Sequence, residues 1–121
     1  MEIREMDEHV TYLHQLQSGD GPVILMNQFS VPVQEVERFL EVWSGDAGFM
    51  RQQPGFISTQ LHRGIEGSTT FINIAVWESP KALGEAFRSP EFQRSIARYP
   101  AGVVASPHLF KKVAVPGICV Q

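Results

Sequence analysis

The segment at residues 71–80, FINIAVWESP, places the tightest constraint on what this 121-residue chain can fold into. Successive side chains of a β-strand point to opposite faces of the sheet, so residues two apart share a face. One face of this strand then carries Asn73 and Trp77, with Phe71 and Ala75 beside them. The other face carries only branched apolar side chains, those of Ile72, Ile74 and Val76. Because both faces are largely apolar, we expect both to be covered in the folded protein.

The rest of the chain predicts strands and helices in the order β-α-β-β-α-β. The strands are expected at residues 23–29, 56–64, 69–78 and 108–115. A long amphipathic helix is expected from about residue 32 to residue 50, with Ser30 as a candidate N-cap and Pro32 in its first turn. Two short helices are expected within residues 78–87 and 88–99, because each segment begins with a Ser-Pro pair that suits a helix start. This order is typical of an α+β, ferredoxin-like fold, whose four-stranded antiparallel sheet carries its helices on one face.

The chain divides into three parts. Residues 1–20 are expected to form an N-terminal arm with a short helix, because Val10, Leu13 and Leu16 recur at helical spacing. Residues 21–116 are expected to form a single ferredoxin-like domain, and residues 117–121 a C-terminal tail. Since helices cover only one face of such a sheet, we expect a second copy of the chain to cover the other apolar face, in a homodimer.

Charge and hydropathy exclude several classes of partner. The net charge is −3, and lysine and arginine residues form no cluster that would neutralise phosphates, so nucleic acid is not expected as a partner. The acidic N-terminus lacks the apolar segment of a signal peptide, and no apolar run approaches the ~20 residues of a membrane span. The sequence therefore predicts a cytoplasmic protein with no membrane partner.

No metal or organic cofactor is predicted. There are four histidines, at positions 9, 14, 62 and 108. His9 and His14 are five residues apart, which is the wrong spacing for one helical face, and no carboxylate or cysteine lies at ligand spacing near His62 or His108. Cys119, the single cysteine, has no histidine close to it in sequence that would activate it as a nucleophile. Glycine-rich phosphate-binding motifs are also absent.

Two asparagines stand out, because each interrupts an apolar strand face. Asn73 shares its face with Trp77, and Asn27 lies between Leu25 and Phe29 on the first strand. A buried asparagine can have a purely structural role when it pairs with the backbone at a bulge or a loop. Two of them with a tryptophan beside one also suit a flat aromatic ligand, whose oxygens need amide donors and whose faces need rings. Both interpretations are open at this point.

The stretch PGFISTQLH…NIAVWES resembles the antibiotic biosynthesis monooxygenase family, small dimeric α+β barrels, over roughly residues 23–115. The resemblance rests on Pro54-Gly55-Phe56, His62, the block Asn73-x-x-x-Trp77-Glu78-Ser79, and Ser89-Pro90-x-Phe92. The Asn-x-x-x-Trp block, together with Asn27, is similar to polyketide-tailoring members that oxidise anthrone-type phenols to quinones without metal, flavin or haem. Two departures occur, since Leu83 and Gln93 stand where some of those oxygenases carry a tyrosine and an arginine.

The resemblance implies a cofactor-independent monooxygenase that oxidises an electron-rich phenolic, anthrone-type or hydroquinone substrate with O2 to a quinone. Asn27, Asn73 and Trp77 are then the catalytic residues, in a pocket between the sheet and the helices. The implied substrate-binding residues are His62, Leu83, Phe87 and Phe92, with His62 a candidate base if it lines the pocket. The alternative is a non-catalytic protein on the same fold, a dimeric barrel that binds a small molecule or acts in a stress response.

Overall fold

A five-stranded mixed sheet, with strand order β1-β5-β2-β4-β3, organises the chain in the computed structural model, which describes residues 1–120. The strands are β1 (Glu2–Ile3), β2 (Val23–Ser30), β3 (Phe56–Arg63), β4 (Thr70–Trp77) and β5 (Val104–Phe110). The helices are α1 (Tyr12–Gln15), α2 (Val36–Met50), α3 (Pro80–Phe87) and α4 (Pro90–Ile96), and a 3₁₀ turn, Val33–Glu35, leads into α2.

Among strands β5, β2, β4 and β3, each adjacent pair is antiparallel, as the α+β, ferredoxin-like arrangement requires. Strand β1 adds a fifth, parallel strand beside β5, where Glu2 pairs with Val104 and Ile3 with Ala105. The predicted four-stranded antiparallel sheet is therefore wrong at this edge. A strand of two residues is too short to show the alternation by which strands are recognised in a sequence.

Strand β5 begins four residues earlier than the sequence predicts and ends at Phe110 rather than at residue 115. Pro107 makes the start of this strand hard to predict from the sequence, because proline is usually absent from the interior of a sheet. Backbone groups of alternate residues face the same side, and the Ala105 carbonyl faces the β1 edge, where it accepts from the Arg4 N–H. The nitrogen of Pro107 faces that edge beyond the end of β1. The missing N–H therefore removes no hydrogen bond from the sheet.

The N-terminal arm is fastened to the edge of β5 at two places. One is β1, and the other is Gln15, whose side-chain amide accepts from the Leu109 N–H (2.9 Å) and donates to the Leu109 carbonyl (3.0 Å). The short helix expected in the arm is confirmed at Tyr12–Gln15, but the spacing that predicted it does not mark a buried face, because Val10 and Leu13 are exposed and only Leu16 of the three is buried. The helix is a single turn that buries Tyr12 instead.

The helix starts at α3 and α4 are confirmed. Ser79 caps α3 by accepting from the Ala82 N–H, and Ser89 caps α4 by accepting from the Phe92 N–H, each followed by a proline in the first turn. The expected cap of α2 is wrong, because Ser30 is the last residue of β2 and a 3₁₀ turn precedes the helix.

The two faces of β4 lie as its alternation predicts. Phe71 and Trp77 are buried in the layer between sheet and helices, whereas Ile72, Ile74 and Val76 are only half-buried on the other face. Within the described residues, no helix has the length and apolar character needed to cross a membrane. The homodimer remains a prediction.

Candidate active site

A cavity lies between the helix-facing side of the sheet and helices α2, α3 and α4. About 90 Å³ of it is open to the centre of a water molecule. One water needs roughly 10–15 Å³ by this measure, so the cavity has room for a small organic molecule. Most of its wall is apolar, and a few polar side chains project into it, which is the usual character of a small-molecule site.

Asn27 and Asn73 form a pair at the floor of this cavity. They are direct partners in the antiparallel register of β2 and β4, and both are half-buried. Facing residues of an antiparallel pair have Cβ atoms about 4.5–5.5 Å apart and point to the same side of the sheet. The strand pairing therefore places two carboxamides side by side, within reach of one ligand.

Thr59 of β3 holds the Asn73 amide in one orientation. Its hydroxyl donates a hydrogen bond of 2.5 Å to Asn73 Oδ1. Because the oxygen of the amide is engaged in this way, its NH₂ group is left to donate to another partner. Thr59 also lines the cavity and is absent from the predicted site residues. An isolated threonine on a strand carries no sequence signal that distinguishes this role.

The Asn27 side chain differs from that of Asn73. Its Oδ1 atom is buried and has no hydrogen-bond partner among residues 1–120. A buried polar atom without a partner costs about 1–3 kcal/mol, so such atoms are uncommon and call for a specific reason. Rotation of the amide by 180° presents its NH₂ group in place of the oxygen. A ligand in the cavity would therefore find at Asn27 either a donor or an acceptor not used elsewhere.

Aromatic rings form much of the cavity wall. Trp77 is 1% exposed and meets Phe56 edge to face, with ring centroids 5.5 Å apart. The Phe87 ring packs against the rings of Tyr12 and Phe92, with ring centroids 5.4 Å and 5.6 Å apart, respectively. These rings and the buried Leu83 side chain exclude water and offer flat surfaces to a planar molecule. Such a wall, with few polar groups, favours an aromatic ligand.

Asp46 of α2 is a polar member of the cavity wall that is absent from the predicted site residues. It is 8% exposed, its Oδ2 accepts from the Tyr99 hydroxyl (2.6 Å), and its Oδ1 accepts from the Ser95 hydroxyl. Burial raises the pKa of its carboxyl, and the hydrogen bonds from Ser95 and Tyr99 partly oppose that rise in pKa. Its sequence position could have revealed it, since it follows the buried Phe39 and Val42 by seven and four residues on one helical face.

Most of the predicted site residues meet in this one cavity. It is lined by Asn27, Asn73, Trp77, Leu83, Phe87 and Phe92. His62 is the exception, since it is exposed and does not line the cavity. A β-bulge between Phe56 and Ser58 shifts the alternation of β3, so that Thr59 rather than Ser58 faces inward with Phe56. His62 pairs with Ile72, on the face of the sheet away from the cavity, so the histidine implied as a substrate-binding residue is not at the cavity.

Within residues 1–120, no group of three or more histidine, cysteine, aspartate or glutamate side chains is arranged to hold a metal ion.

Comparisons with known proteins find a matching family model and similar sequences and structures. The family model described as antibiotic biosynthesis monooxygenase matches residues 22–98. Deoxynogalonate monooxygenase from Streptomyces nogalater is 34% identical over 70 residues, and the match covers 58% of each chain. The match thus spans somewhat over half of that relative's length.

Two solved structures are similar over most of the chain. SnoaB, a cofactor-independent oxygenase from Streptomyces nogalater, has a TM-score of 0.69 at 27% identity and covers 80% of this chain and 98% of its own. A candidate monooxygenase from Shewanella loihica PV-4 has a TM-score of 0.69 at 32% identity and covers 81% of this chain and 100% of its own.

Proposed function

We propose, because this chain belongs to the antibiotic biosynthesis monooxygenase family, that it is a cofactor-independent monooxygenase. Its substrate is an electron-rich phenol of the anthrone or hydroquinone type, which O2 oxidises to a quinone. The observation that carries the proposal is the pair of facing amides, Asn27 and Asn73, on the floor of an aromatic-walled cavity.

The chemistry needs no external reductant if the substrate supplies all the electrons. In an anthrone, the methylene group between the aromatic rings loses a proton, and the oxygen of the ketone in the same central ring takes the negative charge. The anion passes an electron to O2, the two radicals combine to a peroxide, and loss of water leaves a carbonyl. The methylene group and O2 thus become a carbonyl and water. One oxygen atom enters the product and four electrons come from the substrate.

The protein contributes by stabilising the substrate anion. The NH₂ group of Asn73, oriented by Thr59, donates to the developing oxyanion, and Asn27 offers a second donor once its amide is turned. A preorganised donor of this kind is worth about 3–4 kcal/mol in the transition state. Trp77 and the phenylalanine rings hold the planar anion and keep water away from the peroxide.

A second copy of the chain completes this proposal. The side of the sheet away from the cavity presents Ile72, Ile74 and Val76, half-buried in the single chain, on a central strand. An apolar sheet face of this kind is a favourable surface for self-association. We infer that a homodimer forms through this face.

The test is oxygen consumption by the purified, chelator-treated protein with a panel of anthrones, hydroquinones and catechols. We expect uptake of O2 with formation of one quinone per O2 for an anthrone, without added metal or flavin. The Asn73→Ala variant serves as the matched control for spontaneous oxidation in the presence of protein. Binding of the same compounds without turnover would instead support the non-catalytic alternative. Turnover that requires an added metal or flavin would contradict the proposal.

A further inference from the structure

We propose that Asp46 is the proton acceptor of this site, and that Ser95 and Tyr99 are the residues that position its carboxylate. The inference rests on the proposed function, because it concerns the first step of that reaction. Oxidation of a phenol or an anthrone by O2 begins with loss of a proton, and some group must take that proton. His62, a candidate base only if it lined the pocket, is exposed and lies away from the cavity.

The position of Asp46 suits this role. Among the described residues that line the cavity, it is the only one that bears a carboxyl group. It lies on α2, across the cavity from the sheet that carries Asn27 and Asn73. A planar substrate between these layers would meet the carboxylate on one side and the amide donors on the other.

The ionisable groups around Asp46 favour a carboxylate that is ready to accept a proton. The turn after α4 contributes the Tyr99 hydroxyl, bonded to Oδ2, and the positive charge of Arg98. The arm contributes Met1 and Tyr12 to the same cavity wall. Burial raises the pKa of the Tyr99 and Tyr12 hydroxyls, so both stay neutral at ordinary pH. Burial also raises the pKa of Asp46, which makes it a stronger base than an exposed aspartate.

The proton step balances within the site. The activated C–H or O–H bond of the substrate breaks, its proton passes to the Asp46 carboxylate, and the electron pair stays on the substrate as an oxyanion. The Asn73 NH₂ group stabilises that oxyanion. The peroxide formed with O2 then takes the proton back. Asp46 removes the last hydrogen from the reacting carbon as the O–O bond breaks, and the departing hydroxide receives that proton and leaves as water.

The same contacts also fit a simpler role, in which Asp46 only ties α2 to the α4 segment. Replacing the carboxyl with an amide of the same size separates the two roles. Asp46→Asn keeps an oxygen that accepts from Tyr99 or Ser95, so a tie between helices survives in part. It removes the basic group altogether, so a proton acceptor is lost.

The decisive measurement is proton removal in the absence of O2. With anthrone as the probe, exchange of the methylene hydrogens for deuterium is followed anaerobically by mass spectrometry. We expect the wild-type protein to accelerate exchange above the buffer rate, and Asp46→Asn to lose at least about 100-fold of that acceleration, the lower range for a general base. Melting curves of both proteins establish that the variant is folded.

A second variant decides the question if Asp46→Asn does not fold. Ser95 donates to Asp46 but does not line the cavity, so Ser95→Ala leaves the cavity wall unchanged. Loss of this donor should raise the pKa of Asp46 and move the acid limb of the exchange rate to higher pH. An unchanged acid limb would refute the role of Asp46.

The outcomes separate the two proposals. If wild-type protein consumes O2 with a phenol and folded Asp46→Asn does so equally well, the role of Asp46 is refuted and the proposed function stands. If wild-type protein shows neither exchange nor oxygen uptake with any compound of the panel, both are refuted.

Discussion

Replacing Thr59 with valine tests whether the Asn73 amide must be held in one orientation. Valine has the shape and the strand preference of threonine but lacks the hydroxyl that donates to Asn73 Oδ1. Without that hydrogen bond, the amide is free to rotate and present its oxygen to the substrate anion, which is repulsive. We therefore expect a slower reaction from a protein whose cavity is otherwise the same.

The size of the effect depends on the single hydrogen bond removed. A hydrogen bond of this kind contributes about 1 kcal/mol net, and that difference in orientation free energy corresponds to roughly fivefold in rate. Stability should fall by a similar ~1 kcal/mol, because Asn73 is only half-buried and its oxygen regains a water in the cavity. The loss is expected mainly in kcat, since the oxyanion forms after the substrate binds.

The assay compares kcat, KM and melting temperature for wild-type protein, Thr59→Val and the control Thr59→Ser. The serine variant keeps the hydroxyl and should retain most of the activity while losing a methyl group. Loss of activity in Thr59→Ser but not in Thr59→Val would show that the methyl matters and the hydrogen bond does not. A fully active Thr59→Val would refute the idea that Thr59 orients the amide.

Four further outcomes are expected. Asn73→Ala should lower turnover by ~100-fold or more and leave a cooperative melting curve, because it removes an oxyanion donor; a normal rate per folded molecule would count against a catalytic role. His62→Ala should keep kcat/KM within about twofold of wild type, since its side chain lies away from the cavity; a large loss would place the reaction elsewhere. Sedimentation at micromolar concentration should show a dimer, and Ile74→Glu should shift it towards monomer; a wild-type monomer would contradict the inferred interface. The pKa of Asp46 is raised in the folded state, so the folded protein binds this proton more tightly than the unfolded chain does. The stability that comes from this protonation is complete below the unfolded-state pKa and is lost as pH rises through the folded-state pKa. The melting temperature of wild type minus that of Asp46→Asn should therefore increase as pH is lowered from about 7 towards about 4. A difference that stays constant over this range would be inconsistent with the raised pKa.

Local patterns are sufficient to predict much of this fold. The two-residue period of β4 places Asn73 and Trp77 on the buried face, since side-chain direction in a strand depends on parity alone. The Ser-Pro pairs at Ser79 and Ser89 mark two helix starts, because capping is decided within four residues. Where the physical cause is local, the sequence suffices.

Features that depend on distant parts of the chain are not predictable in this way. The bulge near Ile57 turns Thr59 inward and His62 outward, and nothing in the alternation of β3 indicates it. The facing of Asn27 and Asn73 depends on the register of two strands, which tertiary packing sets. The bonds from Ser95 and Tyr99 to Asp46 join residues about 50 positions apart, so only the folded chain brings them together.

The attachment of the N-terminal arm to β5 has a consequence for the order in which the molecule folds. Glu2 pairs with Val104, and that pairing closes a loop of about 100 residues, so the entropy of loop closure is lost before the contacts between the two ends can compensate for it. Until then, the outer edge of β5 presents unpaired backbone groups to any neighbouring chain. Docking of β1 and Gln15 covers that edge. The arm residues are therefore among the last to reach their final positions, and until they do so the edge of β5 is open to pairing with another chain.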